Sequence, residues 1–306
     1  TSNSQDTLTM LSLYAISGYK LMPALQGIYQ GVTQIKYHKA AVNILIYDLS
    51  LASRNLNPQK KNITFNKTIA LDNVSFKYFG NEKLTLSSIN LNIDINSTIG
   101  FVGSTGSGKS TLIDILIGLL PPTIGKLKVD NKSLDIHMTS AWHKHIGYVP
   151  QDIYMLDSSI ASNIALGVDS DKIDYNQIKD VLKQTDLYDF VSTLEHGYHE
   201  IIGEQGIKIS GGQKQRIGIA RALYHAPNVL VFDEATSSLD GVTESNIMDS
   251  VYKLSKDKTI LIIAHRISTI KRCDVIHVMD QGEIIDSGSF EYLISNCDTF
   301  KNLSKM

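Results

Sequence analysis

A glycine-rich stretch carries the clearest chemical signal in this 306-residue chain. Its residues are Gly103, Ser104, Thr105, Gly106, Ser107, Gly108, Lys109, Ser110 and Thr111. Glycines let the backbone curl until successive N–H groups point into one concavity, and a following helix adds its positive N-terminal end. The stretch therefore predicts a phosphate-binding loop. In such a loop Lys109 can reach the β- and γ-phosphates of a nucleotide, and the Ser110 hydroxyl can ligate Mg²⁺.

Two adjacent carboxylates form a second chemical motif. Asp233 and Glu234 directly follow the apolar run Val229–Phe232, which is typical of a buried strand. Since ligands bind at the carboxyl ends of strands in open parallel sheets, we expect both acids to face the phosphate-binding loop. Asp233 would hold Mg²⁺ through a water there, and Glu234 would polarise a water that attacks the γ-phosphate.

A third motif predicts another anion site elsewhere in the chain. Its residues are Ser210, Gly211, Gly212 and Gln213, and an apolar helical run follows them. A serine, two glycines and a helix N-terminus together favour an anion. Because one nucleotide cannot easily use two such sites within one compact domain, the sequence predicts that two chains combine around it.

Short apolar runs alternate with helical stretches after residue 63, and they form the scaffold for these motifs. The predicted strands are 71–78, 99–102, 146–149, 229–232 and 260–263. A helix is predicted over 112–120, ended by Pro121 and Pro122, and the stretch 152–226 is predicted to be mostly helical. Strands that alternate with helices are typical of a buried parallel sheet, so we expect an α/β domain.

The beginning of the chain predicts a long helix. Lys20 is the only charge between residues 7 and 35, and a helix of this length could cross a bilayer, which needs roughly 20 mostly apolar residues. Pro23 would kink that helix. An amphipathic cytosolic helix is the alternative interpretation.

A polar stretch over 54–62 predicts the boundary of this helical part. We expect residues 1–60 to hold the end of a transmembrane helix with its cytoplasmic extension, and residues 61–306 to form one domain whose helical subdomain covers about 152–226. Because Thr1 stands where a start methionine would and no signal peptide is recognisable, the sequence is interpreted as part of a longer protein.

Composition excludes several classes of protein. Apolar residues make up 42 % of the chain and charged residues 20 %, which is enough apolar material for a core and argues against wholesale disorder. The net charge of −2 argues against a protein that neutralises nucleic-acid phosphates. The two cysteines, Cys273 and Cys297, have no metal-ligand spacing, so neither a disulfide framework nor a structural zinc is expected.

The three motifs, in their order along the chain, resemble the nucleotide-binding domain of ABC transporters of the exporter type. Residues 103–110 resemble the Walker A loop, and 229–234 resemble Walker B with its catalytic glutamate. Residues 210–213 resemble the ABC signature, preceded by Ile209 where leucine is more frequent. The resemblance extends over residues 67–303.

Further family motifs are found between and beyond these three. They are Gln151 of the Q-loop, Ser237–Asp240 of the D-loop, the switch histidine His265, the adenine-stacking Tyr78, and Gly203–Gly206, which resembles the X-loop with Gln205 in place of arginine. The resemblance implies ATP and Mg²⁺ as ligands. It implies catalytic roles for Glu234, His265 and Gln151, and a Mg²⁺ shell that includes Ser110, Gln151 and Asp233.

The resemblance also implies a fold and a partner. The expected fold is a P-loop NTPase (RecA-like) core sheet with a β subdomain and a helical signature subdomain, preceded by the long helix. The expected partner is a second half-transporter, on whose ATP the signature residues would act; Asp240 is assigned to the D-loop. Because the motifs are intact, a homodimer is favoured, with no role for nucleic acid.

For the whole protein the resemblance implies a bacterial inner-membrane exporter, with the nucleotide-binding domain on the cytoplasmic side. Residues 14–26 resemble exporters that flip lipid-linked oligosaccharides, so a lipid-linked sugar is the first cargo expected; lipid, peptide or drug export are alternatives. A non-transport ABC ATPase would need no apolar leader, and a P-loop kinase or GTPase would lack the signature. An inactive regulatory module is disfavoured by the intact Glu234 and His265.

Overall fold

The computed structural model of the chain describes residues 2–55, 62–236, 239–264 and 266–304. Its contacts divide the chain into two compact units, Thr1–Gln59 and Lys60–Met306. Each unit is described here by itself.

The first unit is one long helix, α1, Ser2–Asn55, with Pro23 inside it. Its described apolar side chains, such as Leu11 and Ile28, are exposed. In the part of the chain that the structure describes, no helix has a stretch that is both long and apolar enough to cross a membrane. The predicted helix is therefore present, and polar residues such as Lys20 and Gln26 interrupt its apolar run.

The second unit alternates strands and helices. Its strands are β1 Thr68–Phe76, β2 Leu86–Asp94, β3 Thr98–Gly103, β4 Ile124–Val129, β5 Lys132–Ser133, β6 Ile146–Val149, β7 Val229–Asp233, β8 Thr259–Ile263, β9 Val275–Asp280 and β10 Glu283–Gly288. Its helices are α2 Lys109–Leu116, α3 Thr139–His143, α4 Ile160–Ile164, α5 Tyr175–Gln184, α6 Tyr188–Thr193, α7 Gly211–Leu223, α8 Gly241–Leu254, α9 Ile267–Ile270, α10 Phe290–Asn296 and α11 Asp298–Leu303.

A six-stranded sheet in the order β10-β9-β3-β8-β7-β6 forms the centre of this unit. Neighbouring strands from β6 to β9 run parallel, and β10 is added antiparallel at one edge. Parallel strands place their carboxyl ends at one edge of the sheet, where ligands bind. The sheet therefore brings the ends of β3 and β7, and hence the first two motifs, to the same side of the molecule. The predicted α/β fold with a P-loop core is confirmed.

The core sheet is buried on both faces because its strands are continuously apolar. Along β7, Val229 and Val231 join one apolar cluster, and Leu230 and Phe232 join the other. Successive side chains of a strand point to opposite faces, so a strand covered on both sides needs an unbroken apolar run rather than an alternating one.

Two smaller layers cover the core sheet. A four-stranded antiparallel sheet, in the order β2-β1-β4-β5, contributes Leu71, Ile89 and Leu127 to the same cluster as Val229. Helices α4, α5, α6 and α7 lie within residues 160–223 and pack into the other cluster. These layers correspond to the β subdomain and the helical subdomain.

The helix predicted over 112–120 is shorter than expected. Helix α2 ends at Leu116, and a turn through Gly118 follows it. Gly118 adopts a φ of +79°, a conformation that continues no right-handed helix and that only glycine adopts at little cost. The helix therefore ends before Pro121 is reached.

Candidate nucleotide-binding site

The loop between β3 and α2 owes its shape to a glycine at the start of the helix. Gly108 has a φ of +100°, and a Cβ at this position would lie 2.7 Å from Leu86 Cδ2. Any side chain would therefore meet both backbone strain and a collision. Because Gly108 also offers no side-chain cap, and no acidic residue stands in the first turn of α2, no side chain occupies the first N–H groups of the helix. These groups suit an anion.

The Lys109 side chain hydrogen-bonds to the backbone at the start of its own loop. Its side chain is buried, and Nζ donates hydrogen bonds to the carbonyl oxygens of Gly103 at 2.9 Å and Ser104 at 3.0 Å. Burial lowers the pKa of the Lys109 ammonium, and the charges of Glu234 and Asp233 partly offset that effect. The positive charge therefore faces two carboxylates across the site.

A cavity of about 210 Å³ opens over the loop. It is lined by Thr85, Thr105, Gly106, Gly108, Lys109, Ser110, Thr111 and Glu234. The Ser107 hydroxyl is buried and has no hydrogen-bond partner in the structure. An unpartnered polar atom is costly inside a protein, so its position within a loop of N–H donors fits a loop that encloses a polar ligand.

Tyr78 reaches the same loop from the end of β1. Its hydroxyl lies 3.1 Å from Thr111 Oγ1, and its ring packs edge-on against Phe76 at 4.9 Å between centroids. Its side chain is 40 % exposed, which leaves a partly open aromatic surface beside the phosphate-binding loop. This placement suits a group that packs against a nucleotide base.

The two acids lie at the carboxyl end of β7. Glu234 lines the cavity together with Lys109 and Ser110, and its N–H donates to the carbonyl of Ile263 on β8. Its φ is +51°, an uncommon conformation for a residue with a side chain. Strain of this kind persists only where the surrounding structure enforces it, and it clusters at functional sites.

Asp233 accepts a hydrogen bond from the Tyr148 hydroxyl, with 2.8 Å between Oη and Oδ2. A further carboxylate, Asp114, lies near it on α2. Burial raises the pKa of Asp114, and the charge of Asp233 raises it further. The site thus concentrates negative charge one turn of helix from Ser110.

The donor set fits Mg²⁺ held together with a phosphate. Ser110 and Asp233 offer hard oxygen donors, and Mg²⁺ is usually bound by one or two protein ligands with the rest supplied by water and substrate phosphates. The described residues include no cluster of three or more His, Cys, Asp or Glu that could hold a metal alone.

The third motif folds as the start of a helix. Ser210 caps α7: its Oγ accepts from Gln213 N at 3.3 Å, and Gln213 Oε1 accepts from Ser210 N at 2.8 Å. Ser210 and Gly211 are exposed, and among the described residues none of 210–213 lines the cavity over the phosphate-binding loop. The motif is ordered, but it does not complete the nucleotide site of its own chain.

Comparison with known proteins decides the family. Residues 86–237, which include all three motifs, match the family model described as ABC transporter. The chain belongs to the ABC transporter family. Within this family the loop at 103–111 resembles the Walker A motif, and residues 210–213 resemble the signature.

Relatives of this ABC transporter chain are exporters. It is 41 % identical over 228 residues to the leukotoxin export ATP-binding protein of Aggregatibacter actinomycetemcomitans, covering 74 % of the chain and 32 % of that protein. It is 39 % identical over 235 residues to a putative multidrug export ATP-binding/permease protein of Staphylococcus aureus, covering 77 % of the chain and 40 % of the relative. The chain thus spans well under half the length of these relatives.

A solved structure of a bacterial Atm1-family ABC exporter with ATP bound has a similar fold. Its TM-score is 0.72 at 32 % sequence identity, and the match covers 81 % of this chain and 43 % of that chain.

The remaining ABC motifs have different placements. Gln151 is exposed in the bend that follows β6, and it is absent from the residues that line the cavity. His265, Ser237 and Ser238 lie outside the described residues. Ala264 and Arg266, on either side of His265, line a second cavity together with the first Walker A residues, Gly103, Ser104 and Thr105.

The described residues of the D-loop, Leu239 and Asp240, directly precede α8. Asp240 caps this helix by accepting from Val242 N at 3.1 Å and Thr243 N at 3.0 Å. These hydrogen bonds, that of Thr243 first, lower the pKa of its carboxyl. Asp240 follows Glu234 by six residues in the sequence. It directly precedes α8, the helix that carries Glu244.

Sequence reasoning missed two residues at this site, Tyr148 and Glu244. Glu244 is buried on α8 and accepts from Thr236, Thr269 and Arg266, with distances of 3.0, 2.6 and 2.7 Å. Neither residue belongs to a sequence motif that would predict its hydrogen bonds. A tyrosine on the strand next to Asp233 is the only signal that could have suggested the first.

Proposed function

We propose that this chain is the ATP-binding and ATP-hydrolysing part of a bacterial ABC exporter. The proposal is carried by one observation: Lys109, Ser110 and Glu234 line one cavity over a loop whose N–H groups suit phosphates. A cation, a hydroxyl ligand and a carboxylate within one cavity are what hydrolysis of a nucleoside triphosphate requires.

Each residue has a role in this chemistry. The loop and Lys109 bind the β- and γ-phosphates, and Tyr78 packs against the base. Ser110, with Asp233 acting through a water and with Gln151, would hold Mg²⁺, which neutralises charge on the phosphates when bound. Glu234 orients the attacking water and accepts its proton, and His265 contacts the γ-phosphate.

The active unit is inferred to be a head-to-tail dimer of two such chains. Ser210 and Gly211 of the signature are exposed, and residues 210–213 do not line the cavity, so the exposed pair is available to another chain. In the dimer, ATP would lie between the Walker A loop of one chain and Ser210 and Gly212 of a second copy. Loss of the γ-phosphate removes the charge that joins them, and the dimer opens.

The dimer is inferred to drive export across a bacterial inner membrane, with its ATP sites on the cytoplasmic side. The relatives' names support export, since they refer to leukotoxin and multidrug export. The resemblance of residues 14–26 to exporters of lipid-linked oligosaccharides supports a lipid-linked sugar as cargo. Vesicles that contain the parent protein would test this: ATP-dependent movement of a lipid-linked sugar is expected, and movement of a drug alone would contradict it.

The Glu234→Gln variant tests the proposed function. Removal of the carboxylate leaves the phosphate-binding loop intact but removes the acceptor for the water's proton, so ATP binding is expected to persist while turnover falls about 100-fold or more. ATP should then accumulate in a stable dimer, which light scattering after gel filtration would detect.

The exposed Glu283 on β10 provides the matched control. Glu283→Gln makes the same chemical change away from the cavity, so its turnover should equal that of the unmodified chain. Full ATPase activity in Glu234→Gln would contradict the assignment of the catalytic base.

A further inference from the structure

The Tyr148–Asp233 hydrogen bond follows from the register of two neighbouring strands. Tyr148 on β6 pairs with Val231 on β7, and Asp233 lies two residues beyond Val231. Because residues two apart in a strand share a face, Tyr148 and Asp233 point to the same side of the sheet. The phenol spans the diagonal between them and donates to Oδ2 at 2.8 Å.

This hydrogen bond lies in a negative environment. Asp114 on α2 is four residues from Ser110, which places both on one face of the helix. Burial, the hydrogen bond to Asp233 and the charges of Asp233 and Asp114 raise the pKa of the Tyr148 hydroxyl, so it stays a donor at neutral pH. The hydrogen bond has a fixed direction, since the phenol donates and the carboxylate of Asp233 accepts.

We propose that Tyr148 is a positioning residue that orients the Asp233 carboxylate for the Mg²⁺ that accompanies ATP. This inference rests on the proposed function and adds a residue to it. Because the hydroxyl engages Oδ2, Oδ1 is left to accept a hydrogen bond from a water of the metal shell. Partners of this kind fix the orientation of groups around a metal.

Tyr148 also joins two motifs of the site. It precedes Gln151 by three residues on the same strand and bend, while Asp233 ends the neighbouring strand. A displacement of the bend that carries Gln151 would therefore act on Asp233 through one hydrogen bond, without passing through the bound nucleotide.

The test compares Tyr148→Phe with the unmodified chain in ATP-binding calorimetry. Each chain is titrated with ATP in the presence of Mg²⁺ and again with EDTA. With EDTA the two affinities should be equal, because the phosphate-binding loop is unchanged. With Mg²⁺ the variant should bind ATP about 10-fold more weakly, the scale found for lost partners of metal-site groups.

Tyr154 is a matched control, since it lies three residues on the other side of Gln151 and is 66 % exposed. Tyr154→Phe removes the same hydroxyl group and should keep the full effect of Mg²⁺. Thermal unfolding of all three chains should coincide, which separates a positioning role from a general loss of structure.

A double-mutant cycle tests whether Tyr148 acts through Asp233. Asp233→Asn should reduce the effect of Mg²⁺, and adding Tyr148→Phe to it should cause no further loss. Additive losses, or an unchanged effect of Mg²⁺ in Tyr148→Phe, would overturn the inference. A lack of ATP binding by the unmodified chain would instead overturn the proposed function, so the two failures are distinguishable.

Discussion

The Lys109 ammonium can bind two kinds of acceptor, the phosphates of a nucleotide and the backbone carbonyls of its own loop. In the structure its ammonium donates to the carbonyls of Gly103 and Ser104. Nucleotide phosphates would accept hydrogen bonds from the same group. Since the lysine is buried, its charge is weakly screened by solvent, and the exchange of neutral carbonyls for phosphate oxygens should be strongly favourable.

We predict that Lys109→Ala weakens ATP binding itself. The loss of a hydrogen-bonded charge at the phosphates should cost about 2 kcal/mol of binding free energy, or roughly 30-fold in affinity. Calorimetry with EDTA present isolates this effect from the metal. Lys132→Ala, at an exposed position on β5, should bind ATP normally. Equal affinities of the two variants would disprove the role of Lys109.

At the scale of single residues, the sequence predicted the groups that short motifs define. Gly108 and Lys109 could be assigned because the loop's glycines and its lysine lie within eight residues of chain. The contact of Tyr148 with Asp233 joins residues 85 apart in sequence, so it depends on which strands are neighbours. No local pattern contains that information.

At the scale of secondary-structure elements, Glu244 connects α8 through hydrogen bonds to the segments that follow β7 and β8. It receives hydrogen bonds from Thr236, in the loop after β7, and from Arg266 and Thr269, near the end of β8. Burial by itself would raise its pKa, but the hydrogen bonds from Thr269, Arg266 and Thr236 and the charge of Arg266 outweigh burial and lower it. Helix α8 thereby joins the segment that follows Glu234 to the segment that holds Arg266 and Thr269.

We predict that Glu244→Gln destabilises the domain by about 2 kcal/mol, because it replaces charged hydrogen bonds inside the protein with neutral ones. Since the folded-state pKa is lowered, the carboxylate's contribution is present above the unfolded-state pKa of about 4.3 and is lost as pH falls through the lower folded value. Urea unfolding should therefore give a larger difference between variant and unmodified chain at pH 7 than at pH 3.

The control is Asp249→Asn on the same helix. Asp249 forms an exposed ion pair with Arg272, and such pairs contribute about 0–1 kcal/mol. A Glu244→Gln effect no larger than that of Asp249→Asn would show that the network does not stabilise the loops.

The elements themselves were largely predictable from apolar patterning. The strands around 146–149, 229–232 and 260–263 agree with β6, β7 and β8 within one residue at each end, because unbroken apolar runs leave little choice. The end of α2 was missed, since Gly118 stops it before the prolines. The placement of β3 between β8 and β9 depends on long-range pairing and could not be predicted.

At the scale of the whole molecule, the main fact is that the motif at 210–213 does not line the cavity over the loop at 103–111. The signature serine caps its own helix and is exposed, while the Walker A cavity is lined by other residues of the chain. A head-to-tail pair of chains would give each cavity a signature from its neighbour. Each complete site would then contain Lys109 from one chain and Ser210 from the other.

This arrangement predicts complementation between two inactive variants. Lys109→Ala and Ser210→Ala should each lose most ATPase activity alone. In a mixed dimer, one site would carry both substitutions and the other neither, so mixing the two chains should restore activity. Turnover measured before and after mixing tests this, and a mixture of Lys109→Ala with itself is the control. No gain on mixing would contradict shared sites.

The hydrogen bonds from Lys109 Nζ to the carbonyls of Gly103 and Ser104 have a consequence for the rate of nucleotide association. Hydrogen bonds within the chain hold the loop in shape, so we expect no folding step between encounter and binding. Association should then be governed by diffusion and by charge, and differences in affinity among variants of the cavity should arise from how fast the nucleotide leaves. Stopped-flow traces would show a single phase whose rate rises linearly with nucleotide concentration.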